Sequence, residues 1–170
     1  MRIYLIGYSY SGKTTLGRQL AKRLGFDFFD TDKALEIKYH TTIPVFFNRY
    51  GEKAFRIIER QILQSTADLD NTVVSTGGGT ACSDDNISFM LQNGKVVYLQ
   101  MNVDDILLRL TKSHKTRPML KGKGPEELKQ FITEQLTARL PYYRQAHISV
   151  PAFDITAEKL EEVILKASEE

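Results

Sequence analysis

The chain has 170 residues, and its 23 lysines and arginines against 21 acidic residues leave a net charge of +2. That length suits one well-buried core, so a single domain over residues 1–170 with insertions is expected, and the near-neutral balance points to neither a nucleic-acid nor a membrane-surface partner. One cysteine, Cys82, excludes an intramolecular disulfide, and the first apolar run is too short for a signal peptide or a membrane span; a cytoplasmic monomer is the expectation.

The first strand is expected at Ile3–Ile6. Gly-Tyr-Ser-Tyr-Ser-Gly-Lys-Thr follows at residues 7–14, a phosphate loop of the pattern G-x-x-x-x-G-K-T. Phosphates need several converging backbone N–H groups, hence a tight glycine turn, with the positive end of a helix behind it. Lys13 suits the outer phosphates and the Thr14 hydroxyl an accompanying magnesium ion. Leu16, Leu20 and Leu24 then repeat at helical spacing before Gly25, a C-terminal cap.

A second strand is expected at Phe26–Phe29, followed by Asp30-Thr31-Asp32. Two carboxylates at i and i+2 can serve a hydrated metal ion and a substrate hydroxyl, but Thr31 and Asp32 equally suit the start of a helix. Residues 31–68 hold too much for one crossover. Thr42, Ile43 and Pro44 open one helix, Phe55, Ile58 and Ile62 stripe another, and together they read as an inserted helical subdomain. Arg56 and Glu59 at i, i+3 are ordinarily a surface pair. The third strand, Thr72–Ser75, runs into Thr76 and Gly77-Gly78-Gly79, where a ligand or another backbone can approach closely.

Strands at Val96–Leu99 and Ile148–Val150 complete five, and helices are expected around Leu107, over 125–146 and over 157–167. Alternating strands and helices define an α/β chain with a parallel sheet. Arg109, Lys112, Lys115, Arg117, Lys121 and Lys123 occur with no acidic residue before Gly124, so residues 112–124 are expected to form a lid over polyphosphate. His40, His114 and His147 have no metal-ligand spacing and receive no role; Cys82 reads as a small packed residue.

Taken together, the phosphate loop, Asp30-Thr31-Asp32, Phe55-Arg56-Ile57-Ile58-Glu59, Gly77-Gly78-Gly79, Arg117-Pro118-Met119-Leu120 and Arg139-Leu140-Pro141-Tyr142-Tyr143 resemble the shikimate kinase family from end to end. The resemblance implies a three-layer α/β/α phosphate-loop fold, with a five-stranded parallel sheet in the order 2-3-1-4-5, a substrate-binding helical insertion at 31–60 and the lid. It implies transfer of the γ-phosphate of ATP to the 3-hydroxyl of shikimate with Mg2+, in chorismate and aromatic amino-acid synthesis. Lys13, Asp32 and Arg117 would be catalytic. ATP would lie on Tyr10, Ser11, Gly12, Lys13, Thr14, Thr15, Arg109, Arg117 and Thr156. Shikimate would lie on Asp32, Arg56, Gly77, Gly78, Gly79 and Arg139, with the two arginines on its carboxylate and Gly78 beneath its ring. Thr14 would bind the metal directly, and Asp30 and Ser75 would support it through water.

Two departures from the family stand out. Tyr10 replaces a common glycine; a positive φ there would cost roughly 1–2 kcal/mol, so ordinary dihedrals with the ring turned outward are expected. Asp154-Ile155-Thr156-Ala157 lacks the arginine or proline often placed over adenine, which leaves Arg109 as the clamp or as a plain helix-surface charge. A gluconate or nucleoside monophosphate kinase of the same fold, and a regulatory module without catalysis, remain alternatives; gluconate would also satisfy Arg56 and Arg139.

Overall fold

The computed structural model describes residues 1–83, 85–113 and 122–168. Five parallel strands, β1 (Arg2–Ile6), β2 (Asp27–Asp30), β3 (Thr72–Ser75), β4 (Lys95–Gln100) and β5 (Ile148–Pro151), form one sheet in the order 2-3-1-4-5. The expected order is therefore the observed one. β1 lies between β3 and β4, pairing Leu5 with Ser75 on one side and with Val97 on the other. The chain leaves β1 towards β2 and β3 and later returns to β4, so the phosphate loop after β1 stands where the winding reverses, the place at which open α/β sheets bind ligands.

The three central strands β3, β1 and β4 are nearly continuously buried because both of their faces are covered. Ile3, Tyr4, Leu5, Val73, Val74, Val96, Val97 and Leu99 are wholly buried. Helix α1 (Lys13–Leu24) presents Leu16 and Leu20 to this core and ends at Gly25, which is left-handed with φ 67° as its capping position requires. Within α1, Gly17 has no room for a side chain, since a Cβ would stand 2.8 Å from the Phe28 ring.

The inserted segment is α2 (Thr31–Tyr39) followed by α3 (Ile43–Ser65), which bends at Gly51 (φ 82°). The bend separates the two helices expected from Thr42-Ile43-Pro44 and from the Phe55 stripe. Leu35, Phe46, Phe55 and Ile62 pack into a second apolar cluster, so the insertion has a core of its own and can hold Arg56 at a defined place. β2 begins at Asp27, one residue later than expected. The cap of α2 is Asp30 rather than Thr31; its Oδ1 accepts the Lys33 N–H at 3.0 Å.

Helix α4 (Asn86–Asn93) was not anticipated, being only 8 residues long with no side-chain cap bond. α5 (Val103–Lys112), α6 (Pro125–Tyr143) and α7 (Ala157–Lys166) follow. α6 stops at Tyr143, short of the expected residue 146. Among the described residues no helix is long and apolar enough to cross a membrane.

Candidate active site

The phosphate loop is braced from within. Ser11 is 1% exposed, and Gly12 takes φ 88° at the start of α1. Gly7 takes φ 144°, and a Cβ on it would stand 2.7 Å from the Leu99 carbonyl oxygen. The buried Lys13 ammonium donates to the carbonyls of Gly7 and Tyr8 at 2.8 and 2.9 Å. Thr14 and Thr15 are exposed at the first turn of α1. The Thr14 hydroxyl donates to Asp30 Oδ2 at 2.8 Å and lies 3.4 Å from Ser75 Oγ. The three residues named for a metal thus come together from the ends of two adjacent strands and the first turn of α1.

Tyr10 corrects the sequence reading. Its φ is 71°, in the left-handed region, where ordinary dihedrals were expected. Arg109 Nη1, from outside the loop, donates to the Tyr10 carbonyl at 2.8 Å and helps to hold this turn. The other arm of Arg109 donates to the Ala152 carbonyl at 3.3 Å, and its guanidinium lies 5.7 Å from the Phe153 ring centroid. Arg109 therefore ties the phosphate loop to the segment before α7 and is no plain surface charge. The Thr156 hydroxyl caps α7 by accepting the Lys159 N–H at 3.2 Å.

Opposite the loop, Arg56 donates to Glu59 Oε2 at 2.7 Å. Glu59 is 3% exposed and also accepts the Thr80 hydroxyl at 2.6 Å. The pair read as a surface feature is thus a buried anchor, and Glu59 and Thr80 are site residues that sequence reasoning missed. Spacing alone could not find them, because an i, i+3 pair looks the same whether its acid is buried or not.

The three glycines each make room for a different part of the site. A Cβ on Gly77 would lie 2.9 Å from both Asp32 Oδ1 and Glu59 Oε1; on Gly78, 2.8 Å from Ser9 Oγ and 3.0 Å from Ser9 N; on Gly79, 2.6 Å from Arg56 Nη2. The nearest obstacle at Gly78 is thus the phosphate loop. Thr31, buried, accepts the Gly77 N–H on its hydroxyl at 3.2 Å. Arg139, from α6, reaches the same turn, its Nη1 3.4 Å from the Gly78 Cβ position. The Tyr143 hydroxyl donates to the Gly78 carbonyl at 2.5 Å, and burial holds its pKa well above the ordinary value. Nearby Cys82 is pushed up to about 11, chiefly by burial, which keeps its thiol protonated and inert.

Two adjoining cavities result. One, of about 210 Å3, is walled by Gly12, Lys13, Thr14 and Asp30. The other, of about 120 Å3, is walled by Phe47, Phe55, Arg56 and Arg139. Asp32, Ser9, Tyr10 and Gly78 border both. Arg117, named as catalytic and ATP-binding, lies outside the described residues, as do Lys115, Lys121 and His114.

An anion-binding hollow that shares a carboxylate with a cavity lined by arginines and rings can pass a phosphoryl group between two bound molecules. With the sheet order, this defines a phosphate-loop kinase of small molecules. A family model described as shikimate kinase matches residues 10–169. A shikimate kinase of Parabacteroides distasonis is 44% identical over 151 residues, covering 89% of this chain and 87% of that one. A crystal structure of shikimate kinase from Bacteroides thetaiotaomicron superimposes with a TM-score of 0.92 at 37% identity, covering 100% and 99% of the two chains. One from Acinetobacter baumannii, in complex with shikimate, gives 0.88 at 37% identity, covering 99% and 92%. A gluconokinase from Sinorhizobium meliloti, at 17% identity and a TM-score of 0.60 over 99% and 91%, shares the fold alone. The chain belongs to the shikimate kinase family.

Proposed function

We propose that this protein transfers the γ-phosphate of ATP to the 3-hydroxyl of shikimate, giving shikimate 3-phosphate and ADP, a step towards chorismate and the aromatic amino acids. The observation that carries this reading is the convergence of Arg56 and Arg139 on a cavity that meets the phosphate loop at Asp32. Two guanidinium groups suit a carboxylate, and Phe47 and Phe55 offer apolar contact to a ring.

Phosphoryl transfer asks the protein mainly for positioning and charge neutralisation. Lys13 and the loop N–H groups of Ser11, Gly12, Thr14 and Thr15 hold the phosphates, and Arg109 with the chain near Thr156 faces the nucleotide base. Asp32 orients the attacking hydroxyl and accepts its proton as the bond to phosphorus forms. Arg117, within the lid at 112–124, supplies a further positive charge to the transferring group. Residues 31–60 form the substrate-binding insertion of a single domain at 1–170.

The metal donors fit Mg2+. One hydroxyl and one carboxylate 2.8 Å apart, with Ser75 beside them, suit an ion that keeps most of its ligands as water and phosphate oxygen. Among the described residues no cluster of three or more His, Cys, Asp or Glu offers a cage for another metal. Bound at Thr14, with Asp30 and Ser75 holding its waters, Mg2+ would neutralise charge on the phosphates. A cytoplasmic monomer remains the reading from composition. The test is ADP release with shikimate, gluconate and nucleoside monophosphates side by side: turnover confined to shikimate is expected, and a preference for gluconate or turnover with none would overturn the proposal.

A further inference from the structure

The two arginines of the second cavity are held in different ways. Arg56 is paired with Glu59 and, at 3.7 Å, with Glu52. Among the described residues Arg139 has no ion pair; its guanidinium carbon stands 5.3 Å from the centroid of the Tyr8 ring. That ring is neutral, so Arg139 keeps its full charge for an incoming anion. A carboxylate in the place of Tyr8 would fix the guanidinium as well but would cancel the charge it presents.

Tyr8 is also part of the phosphate loop. It is 4% exposed, and its carbonyl accepts Lys13 Nζ at 2.9 Å and the Ser11 N–H at 3.2 Å. Its hydroxyl donates to Gln135 Oε1, one turn before Arg139 on α6. One residue therefore supports the phosphate-binding lysine with its backbone, while its side chain fixes both the helix and the guanidinium that face the other ligand.

We propose that Tyr8 is a positioning residue for the phosphoryl acceptor: its ring face sets Arg139 against the acceptor's carboxylate without neutralising it. This rests on the reading that Arg139 receives that carboxylate. A cation over a desolvated aromatic face is worth enough to change acceptor affinity by about 5- to 30-fold.

Steady-state kinetics of Tyr8→Leu, Tyr8→Phe and Tyr8→Trp test it, with shikimate and ATP varied in turn. Tyr8→Leu is expected to raise the shikimate KM by about 5- to 30-fold while the ATP KM stays within about twofold; Phe and Trp, which keep a ring, are expected to stay within about threefold of wild type for shikimate. In an Arg139→Ala background, Tyr8→Leu should add less than about twofold, since the residue it acts through is gone. A shikimate KM within twofold for Tyr8→Leu, equal rises in both KM values, or a Phe variant as impaired as Leu would each overturn the proposal. Where the leucine variant does not fold, Tyr8→Met carries the same test. Failure of the wild type to phosphorylate shikimate would instead sink the functional reading itself.

Discussion

Replacing Gly79 with alanine should damage acceptor binding while sparing ATP. The backbone allows it, with φ −96° and ψ −4°. The added Cβ would stand 2.6 Å from Arg56 Nη2 and 3.0 Å from Nη1, where ordinary contact begins at 3.4 Å, so the guanidinium must give way by about 0.8 Å. Two partners oppose that movement, Glu59 and, at 3.7 Å from Nη2, Glu52. Glu59 is buried and would lose a 2.7 Å charge-assisted bond, and breaking such a pair outright costs about 3–5 kcal/mol. Arg56 therefore keeps Nη1 on Glu59 and swings Nη2 away from the cavity. The acceptor carboxylate then forfeits one charge-assisted hydrogen bond, about 1.5–3 kcal/mol, or about 10- to 150-fold in shikimate KM. The ATP KM should stay within about twofold and the stability loss below about 2 kcal/mol, as a small overpacking that a side chain absorbs. Coupled ADP-release kinetics with shikimate varied at saturating ATP, together with thermal unfolding, read out both quantities. A shikimate KM within twofold of wild type would refute the assignment of Arg56 to the carboxylate, and an equal rise for ATP would refute the division of labour among the glycines.

Asp32→Asn keeps the shape but loses the charge proposed to orient the hydroxyl and accept its proton, and turnover should fall by about two orders of magnitude or more; near-normal kcat would remove Asp32 from both roles. Tyr10→Gly should relieve about 1 kcal/mol of left-handed strain and raise the Tm by about 2–4 °C, measured by calorimetry, and a lowered Tm would show that ring contacts outweigh the strain. His147 is held below its ordinary value of 6.5 by desolvation and by Lys95, and its Nδ1 accepts the Val96 N–H at 3.0 Å, which protonation forbids. Its stabilising contribution is therefore complete above 6.5 and is lost as pH falls through the lower folded value; His147→Ala should flatten the fall of Tm as pH drops below 6.5, read by thermal unfolding across a pH series.

Local patterns carried much of the architecture into view. Five apolar runs with helical stretches between them implied the parallel sheet, and the phosphate loop, Asp30 and Ser75 were legible because each sits at a strand end, where position follows directly from the sheet. What stayed hidden depended on groups distant in the chain. The Tyr10 carbonyl is held by Arg109, 99 residues away, and the buried Glu59 carboxylate accepts the hydroxyl of Thr80, 21 residues on. Gly78 was expected beneath the substrate ring, and Ser9 of the phosphate loop, distant in the chain, also excludes a side chain there. The short α4 lacks a side-chain cap, and a helix of that length owes its stability to packing more than to propensity.

Asp30 divides its two oxygens between unrelated duties. Oδ1 begins α2, and Oδ2 takes the Thr14 hydroxyl. The position is therefore narrow in what it can exchange. Asparagine would preserve the helix start but offer a neutral amide to the cation side, and glutamate would keep the charge but overreach the backbone N–H it must accept. Of the four side chains that cap helices well, only aspartate brings an anion with it. A variant library at residue 30 should consequently separate folding from metal response, with asparagine, serine and threonine retaining the first and losing the second.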